Sequence, residues 1–569
     1  MMRVFGTVAY AIVIAGCASA ASVKTIVGVY YFPGWHIKPP IAPLCPGGPP
    51  DRVGEWRYAI MNAAKPRPLC GFYDDSDVRL WDYYIDWMRG CGIDFIAFDW
   101  YYNARQQFLY EALDRGFLHS SKRSNMKFCL HWCNHGGNWW HKPLDQSQSA
   151  LREMMDEVCH RYFHLPNYLK LDGRPVFMIY DPDTLLRFGG RQVVRESLRM
   201  LHSVAQEHGF RGVYLVAVNS SCSASYIKML RDLGFDAFCA YTYAWMRPAS
   251  VAWYSKAWPY REVTDMMCTD VYPFLRRIGN RYGIPYWPTT FSGWDDRPRA
   301  GLENAFVLTG NDPGEFGRMF RSALDNVNPR SAVVMVEAWN EWGEGACIEP
   351  SKEHGFAYLD QIARALGKSF KNPKVPTPDE IHAWSILEPD ELKVACENES
   401  KPWPVKSVER IRLASNYDVP DVPMPIVFDF TASGMPLESL ILNGLQVLER
   451  TDRGLLLVSN AVDPQVILPT VSIPTAQVKS ITVAAQLLEK APGNPEPPVE
   501  IYWQTGKIPE FTPYCSVKIP FEASGISTLL TEEIMTWISG GTPILRIRLD
   551  LGEHPGNKFL LKRLVLSSS

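Results

Sequence analysis

Two glutamates three residues apart, Glu341 and Glu344, lie just after an apolar run, in the order Trp339-Asn340-Glu341-Trp342-Gly343-Glu344-Gly345. Breaking a glycosidic bond calls for such a pair: one carboxylic acid protonates the leaving oxygen while a second carboxylate acts as base or nucleophile. An E-x-x-E spacing alone also describes a solvated surface pair. Here the flanking tryptophans are costly to leave in water and the glycines permit a tight turn, which favours a concave rim.

The ends of the other apolar runs carry a consistent residue set. Tyr30 and Trp35 follow the first run, Asp99, Trp100 and Tyr101 the second, and Trp132 the third. Tyr180 closes the fourth, Tyr243 and Trp245 follow the sixth, Trp294 and Asp295 the seventh, and Asn340 and Trp342 the eighth. Flat rings interleaved with carboxylates and amides suit a sugar, whose C–H faces stack on aromatics and whose hydroxyls need polar partners. Each residue also has a plain structural reading. Asp99 would serve as a helix cap, Asp295 as the partner of Arg297, and Tyr101, Tyr243 and Trp245 as rim packing. The alternation Cys129, His131, Cys133, His135 would put four metal-binding side chains on one strand face. A buried strand ending in polar residues is the commoner case, so no metal ligand is assigned.

These positions require a scaffold that gathers strand ends. Runs rich in Val, Ile, Phe and Tyr recur at 27–32, 93–100, 126–132, 175–180, 213–218, 235–241, 285–291 and 332–340. Segments of helical spacing separate or follow them at 78–91, 104–119, 147–163, 191–208, 224–233, 264–282, 313–326 and 353–366. Eight strand-then-helix units predict an α/β fold, a (β/α)₈ TIM barrel over 26–370 with its site at the C-terminal ends of the strands. No G-x-G-x-x-G follows the first strand and no G-x-x-x-x-G-K-[ST] occurs, so no nucleotide or other organic cofactor is expected. Prolines then punctuate 371–425, a linker expected to pack on the barrel. The short alternating runs of 426–569 predict a C-terminal β-sandwich.

With 58 Lys+Arg against 61 Asp+Glu, a net charge of −3 and no basic runs, the chain has no footprint for nucleic acid. Its 46% hydrophobic content excludes a disordered chain. Of the 19 tryptophans, 15 precede residue 343, so aromatic usage concentrates in the barrel. Met1-Met2-Arg3, the apolar stretch 4–15 and Ala18-Ser19-Ala20 read as a signal peptide over 1–20. Ile14-Ala15-Gly16-Cys17 reads alternatively as a lipoprotein signal, with Cys17 as a lipid anchor and the only membrane contact. Either way the expectation is an exported protein, periplasmic, extracellular or on the outer surface. Cys45 and Cys70, in one long loop, are the favoured disulfide pair, while Cys91, Cys129, Cys159 and Cys239 suit buried thiols.

The run from Glu337 to Pro350, EAWNEWGEGACIEP, resembles the signature of the glycoside hydrolase family 99-like, WbsX-type proteins. Gly71-Phe72-Tyr73-Asp74, Gly92-Ile93-Asp94-Phe95 and Gly293-Trp294-Asp295-Asp296 agree in order and position, so the resemblance covers about residues 26–366. It implies a (β/α)₈ barrel and, from family 99 itself, retaining endo-hydrolysis of α-mannosidic bonds. Glu341 would deprotonate the 2-hydroxyl, which attacks the anomeric carbon to give a 1,2-anhydro sugar, and Glu344 would be the acid/base. The chain departs from the group in three places. Gly343 stands where family 99 has His, Glu337 replaces Asn or a small polar residue, and Trp132-Cys133-Asn134-His135 replaces W-A-N-E.

The reading is therefore an exported glycoside hydrolase acting on a poly- or oligosaccharide. Two other classes stand beside it: a WbsX-type glycosyltransferase of surface-polysaccharide synthesis, and a glycan-binding protein whose barrel is inactive.

Overall fold

The computed structural model describes residues 24–36, 55–56, 67–136 without 104, 144–387 without 253, 390, 393, 397, 406–410, and 422–568 without 492–497, 507, 509, 512–514, 523, 539–542 and 553. The N-terminal signal, Cys17, Cys45 and most of the linker's second half lie outside these residues.

Eight parallel strands form the barrel: β1 (Ile26–Tyr31), β2 (Phe95–Asn103), β3 (Lys127–Trp132), β4 (Arg174–Ile179), β5 (Tyr214–Val218), β6 (Ala237–Cys239), β7 (Thr289–Phe291) and β8 (Val333–Glu337). They pair in the order β7-β8-β1-β2-β3-β4-β5-β6. A parallel bridge from Phe238 to Tyr286, just ahead of β7, closes the ring. The strands are almost wholly buried, as continuous apolar runs between an interior and a helical layer must be. Gly28 is fixed by packing: the Phe95 ring lies over it, and a β-carbon there would stand 2.2 Å from Phe95 Cζ.

Among the described residues, ten helices accompany the barrel strands: α1 (Val78–Cys91), α2 (Gln148–Val158), α3 (Pro182–Glu207), α4 (Ala224–Leu233), α5 (Tyr260–Met266), α6 (Tyr272–Tyr282), α7 (Arg297–Asn304), α8 (Pro313–Asp325), α9 (Ala357–Ala365) and α10 (Pro378–Trp384). Their ends follow local chemistry. Asp312 accepts from the Gly314 and Glu315 N–H groups ahead of α8, with Pro313 at its first position. The helix expected over 104–119 is absent. Gln106–Phe108 instead folds back on β2 as an antiparallel strand, and only single turns follow at Ala112–Gly116 and Phe117–His119. Arg105 and Leu109 take left-handed backbone conformations that end regular helix there.

Beyond the barrel, α10 packs on it: Trp384 donates to the Cys70 carbonyl and Tyr83 bonds Glu380. Two antiparallel six-stranded sheets follow. One is built around Lys558–Ser567 and Ser480–Glu489, the other around Pro543–Leu551 and Pro498–Thr505. Their inner faces share a separate apolar core. Trp503 and Trp537 are both buried in it, ring centroids 5.0 Å apart, so neither offers a sugar-stacking surface. Arg281 pairs with Glu532, and Tyr282 with Glu533, between barrel and sandwich. Cys70 is a free thiol, and Cys91, Cys129, Cys159 and Cys239 are buried thiols as expected.

Candidate active site

Because side chains alternate along a strand, the pairing of Asp99 with His131 and of Trp100 with Trp132 sorts these four by face. Asp99 and His131 point into the barrel mouth, where His131 Nδ1 lies 2.7 Å from Asp99 Oδ1. Tyr30 and Tyr241 pack beside His131, with Tyr180 edge-on to it. Trp100 and Trp132 point the other way. Trp100 stacks on Tyr102 and meets Phe177 edge-on. Trp132 lines a separate cavity of about 320 Å³ with Tyr102 and the start of α2.

After β8 the chain turns tightly and brings its glutamates back over the mouth. Asn340 anchors the turn: its amide accepts from the Phe32 N–H and donates to the Phe32 carbonyl, both at 2.9 Å. Glu341 pairs through its backbone with Ala346, and Glu344 N–H donates to the Glu341 carbonyl. The Asp295 N–H in turn donates to the Glu344 carbonyl. Gly345 has φ +62°, and a β-carbon there would stand 2.8 Å from Asp295 Cβ, so only glycine fits. Behind the turn Glu349 accepts from Tyr84 Oη at 2.6 Å, Tyr73 Oη at 2.7 Å and Trp342 Nε1 at 2.9 Å.

Arg299, at the start of α7, ties the carboxylates together. Its Nη1 bonds Glu344 Oε1, and its Nη2 lies 3.9 Å from Glu341 Oε2 and 3.5 Å from Glu55 Oε2. A β-carbon at 343 would come within 3.2 Å of Arg299 Nη2, so the guanidinium sits where a histidine at 343 would begin. On its other side Glu341 accepts from Tyr241 Oη at 2.7 Å, and the same hydroxyl lies 3.1 Å from Asp99 Oδ2. A continuous chain thus runs His131, Asp99, Tyr241, Glu341, Arg299, Glu344.

The electrostatics follow from burial. Burial pushes the Glu341 carboxyl well above the carboxylate range and the charge of Glu344 adds to this, against the pull of Arg299 and Tyr241. Glu344, 13% exposed, is raised to about 6 by burial, opposed by Arg299. Burial raises Asp99, opposed by His131 and Tyr241. Burial works against the Arg299 charge, but Glu344, Glu55 and Glu341 outweigh it and raise its pKa. Acids with raised pKa values beside an ionised partner are what proton transfer at neutral pH requires.

Of the residues picked from sequence, Tyr30, Asp99, Tyr101, Tyr180, Glu341 and Glu344 lie at this mouth, Tyr101 stacked on His135. Trp245 and Trp294 pack on each other at its edge with their rings tilted by 59°, Trp245 half-exposed and Trp294 buried. Asp295 braces the Glu344 loop through its backbone and pairs with Arg297 through its carboxylate. Trp100 and Trp132 face outward, and Trp35 is buried against Trp56. Tyr243 is a core residue whose hydroxyl accepts from Tyr286. Asn340 and Trp342 spend their polar atoms on Phe32, Glu349 and Tyr73, so they position the turn. Sequence reasoning missed Arg299 and Glu55, and at the end of the sixth run it chose Tyr243 and Trp245 over Tyr241. Alternation from the end of β6 would have favoured Tyr241, whereas nothing in the sequence marks Arg299 or Glu55.

The four residues considered for a metal do not converge. Cys129 faces Met178, and His135, pushed down to about 4 by burial, stacks on Tyr101. Asp99, His131 and Cys133 do keep ligand atoms within 4.8 Å of one another. His131 Nδ1 is spent on Asp99, however, and burial holds the Cys133 thiol protonated.

Two curated relatives, both uncharacterized proteins WxcX from Xanthomonas campestris pv. campestris strains, are 26% identical over 298 residues. The match takes 48% of this chain and 40% of each relative, so the chain spans less than half of their length. Among solved structures, a GH99 endo-alpha-mannosidase from Bacteroides thetaiotaomicron is 15% identical over 60% of this chain and 96% of its own, with a TM-score of 0.41. A glycoside hydrolase-like protein is 15% identical over 61% and 94%, with a TM-score of 0.45. With likenesses of that size, the fold rests on the chain's own strand order. The family described as Glycosyltransferase WbsX matches residues 63–362, more than half of the chain and the whole span from β2 to the Glu341/Glu344 turn, and the chain belongs to that family.

Proposed function

We propose that the chain is a glycoside hydrolase that cleaves an O-glycosidic bond of a poly- or oligosaccharide with retention, using Glu341 as base and Glu344 as acid/base. The observation that carries this reading is the convergence of both carboxyls on Arg299 at a barrel mouth, with the proposed acid Glu344 raised to about 6. Burial favours the protonated form of Glu341, and the Tyr241 hydroxyl and Arg299 favour the anion that acts as base. It takes the proton of the sugar 2-hydroxyl as that oxygen bonds to the anomeric carbon. The bond from the anomeric carbon to the leaving oxygen breaks, and Glu344 supplies the leaving oxygen's proton. In the second half Glu344 takes a proton from water, whose oxygen opens the anhydro ring, and Glu341 returns the proton to O2. Trp245 and Tyr180 supply ring surface for neighbouring sugars.

Glycosyl transfer, the activity in the family's description, fits this mouth less well if the donor is a nucleotide sugar. Its central cation already faces three glutamates, and a diphosphate would be repelled by them. Export rests on residues 1–20 alone, and cell fractionation with N-terminal sequencing of the mature chain tests it. The hydrolase is tested by reducing-end and mass-spectrometric screening against bacterial, fungal and plant glycans, with sugar nucleotides alongside. Release of oligosaccharide by the parent chain, lost in Glu341→Gln and Glu344→Gln, supports it. Turnover of a sugar nucleotide instead would replace it with the transferase.

A further inference from the structure

The mechanism leaves one buried acid unused. Glu337 ends β8 and is fully buried. Its strand register pairs Met335 with Gly28, whose face carries Phe95 and Tyr30 into the barrel, so the two-residue repeat turns Glu337 inward too. Neither carboxyl oxygen has a hydrogen-bond partner, and it makes no ion pair among the described residues. Burial, then Glu344, Glu341 and Asp99, push its pKa well above the carboxylate range, opposed by the nearby Thr242 hydroxyl. Buried polar groups in folded proteins are almost always paired, so an orphan of this kind in a site calls for a partner that arrives later. The orphans gather at the same end of the barrel. Glu341 Oε2, His131 Nε2, Ser292 Oγ and Trp294 Nε1 are also buried without a hydrogen bond. Donors and acceptors mixed in this way match a polyhydroxylated ligand.

We propose that Glu337 binds the sugar directly, donating its O–H to an oxygen of the ring seated over Glu341 and Glu344. This makes it a third carboxyl of the site, one that selects a hydroxylated ring at that position. The proposal rests on the glycan reading of the mouth.

The test uses the full chain and three iminosugars, the gluco-, manno- and galacto-configured 1-deoxynojirimycins, titrated calorimetrically into the parent, Glu337→Gln and Glu337→Met. Glutamine keeps a donor, whereas methionine keeps the volume without polarity. The expected result is a loss of about tenfold in affinity for the best-bound iminosugar in Glu337→Met, the scale of one hydrogen bond. Glu337→Gln stays within about threefold, and Glu337→Met melts no lower than the parent, since an unpaired buried acid gives the fold nothing. Unchanged affinity in Glu337→Met overturns the proposal, as does a lower melting temperature with affinity retained. Should the methionine variant not fold, infrared difference spectra decide. A carboxylic-acid carbonyl band that shifts on iminosugar binding and is missing from Glu337→Gln supports the assignment, and its absence from the parent overturns it. If none of the three binds the parent, the glycan reading falls and takes this proposal with it. If the parent binds and Glu337→Met binds equally, only Glu337 is misassigned.

Discussion

Glu341 and Glu349 flank one tight turn, are both buried, and are held in opposite ways. Glu349 accepts three hydrogen bonds, from Tyr73, Tyr84 and Trp342. Glu341 has one bonded oxygen, on Tyr241, and another whose nearest cation is 3.9 Å away. A fully satisfied buried carboxyl specifies structure, and a partly satisfied one keeps capacity in reserve. On the proposed mechanism, the difference separates scaffold from reactive group within a single loop. It also shows why burial alone does not identify a catalytic acid: burial is the leading cause of the raised pKa of both.

The sharpest way to break this comparison is to neutralise each side. Glu341→Gln and Glu344→Gln should lower glycan release by at least ~10²-fold while melting no lower than the parent, measured by reducing-end assay and calorimetry. A melting temperature that falls with activity would put the pair in the scaffold. Glu349→Ala should do the reverse. Three donors lose their acceptor, which costs on the order of 3 kcal/mol or more, and thermal unfolding should report it directly.

Charge state sharpens the comparison further. Burial raises Glu349 to about 8, against the hydrogen bonds from Tyr84, Tyr73 and Trp342. A carboxyl whose folded pKa is raised contributes stability below its unfolded value, about 4.3, and that contribution is lost as pH rises through about 8. The parent should therefore melt lower at alkaline than at acidic pH, and Glu349→Gln should flatten that slope. Glu344, raised to about 6, should set the alkaline limb of the rate profile, since the acid must carry its proton. Arg299→Met removes the charge that holds it down, so the limb should move to higher pH. An unmoved limb would detach Glu344 from the acid's role. The smallest effect belongs to the rim. Trp245, 50% exposed, should give a rise of a few-fold in KM on Trp245→Ala, with kcat and melting temperature unchanged. A change in kcat instead would bring it into the reacting centre.

Much of this was legible in the sequence, and the misses have physical causes. Eight apolar runs located eight buried strands because a strand covered on both faces cannot alternate. The Glu341/Glu344 pair stood out by residue type and by its glycines. Trp100 and Trp132 were misread although period two alone decides them: once Asp99 and His131 face the mouth, their neighbours face the helices. Tyr243 fell into the core for want of a strand end fixed to within a residue. The segment 104–119 carries helical spacing, but Arg105 and Leu109 break it. Arg299 and Glu55 come from different loops and meet only in three dimensions, which no local pattern encodes.

The Asn340 clamp on Phe32 joins residues 308 positions apart. Contacts of that separation form late, because a long loop must close before they reward the chain. The first strand thus waits through most of synthesis for the partner that completes its sheet, and the Glu341/Glu344 turn is seated only when the two ends of the barrel meet. Acquisition of activity should therefore trail the appearance of helical signal during refolding, making catalysis itself the reporter of the last step of assembly.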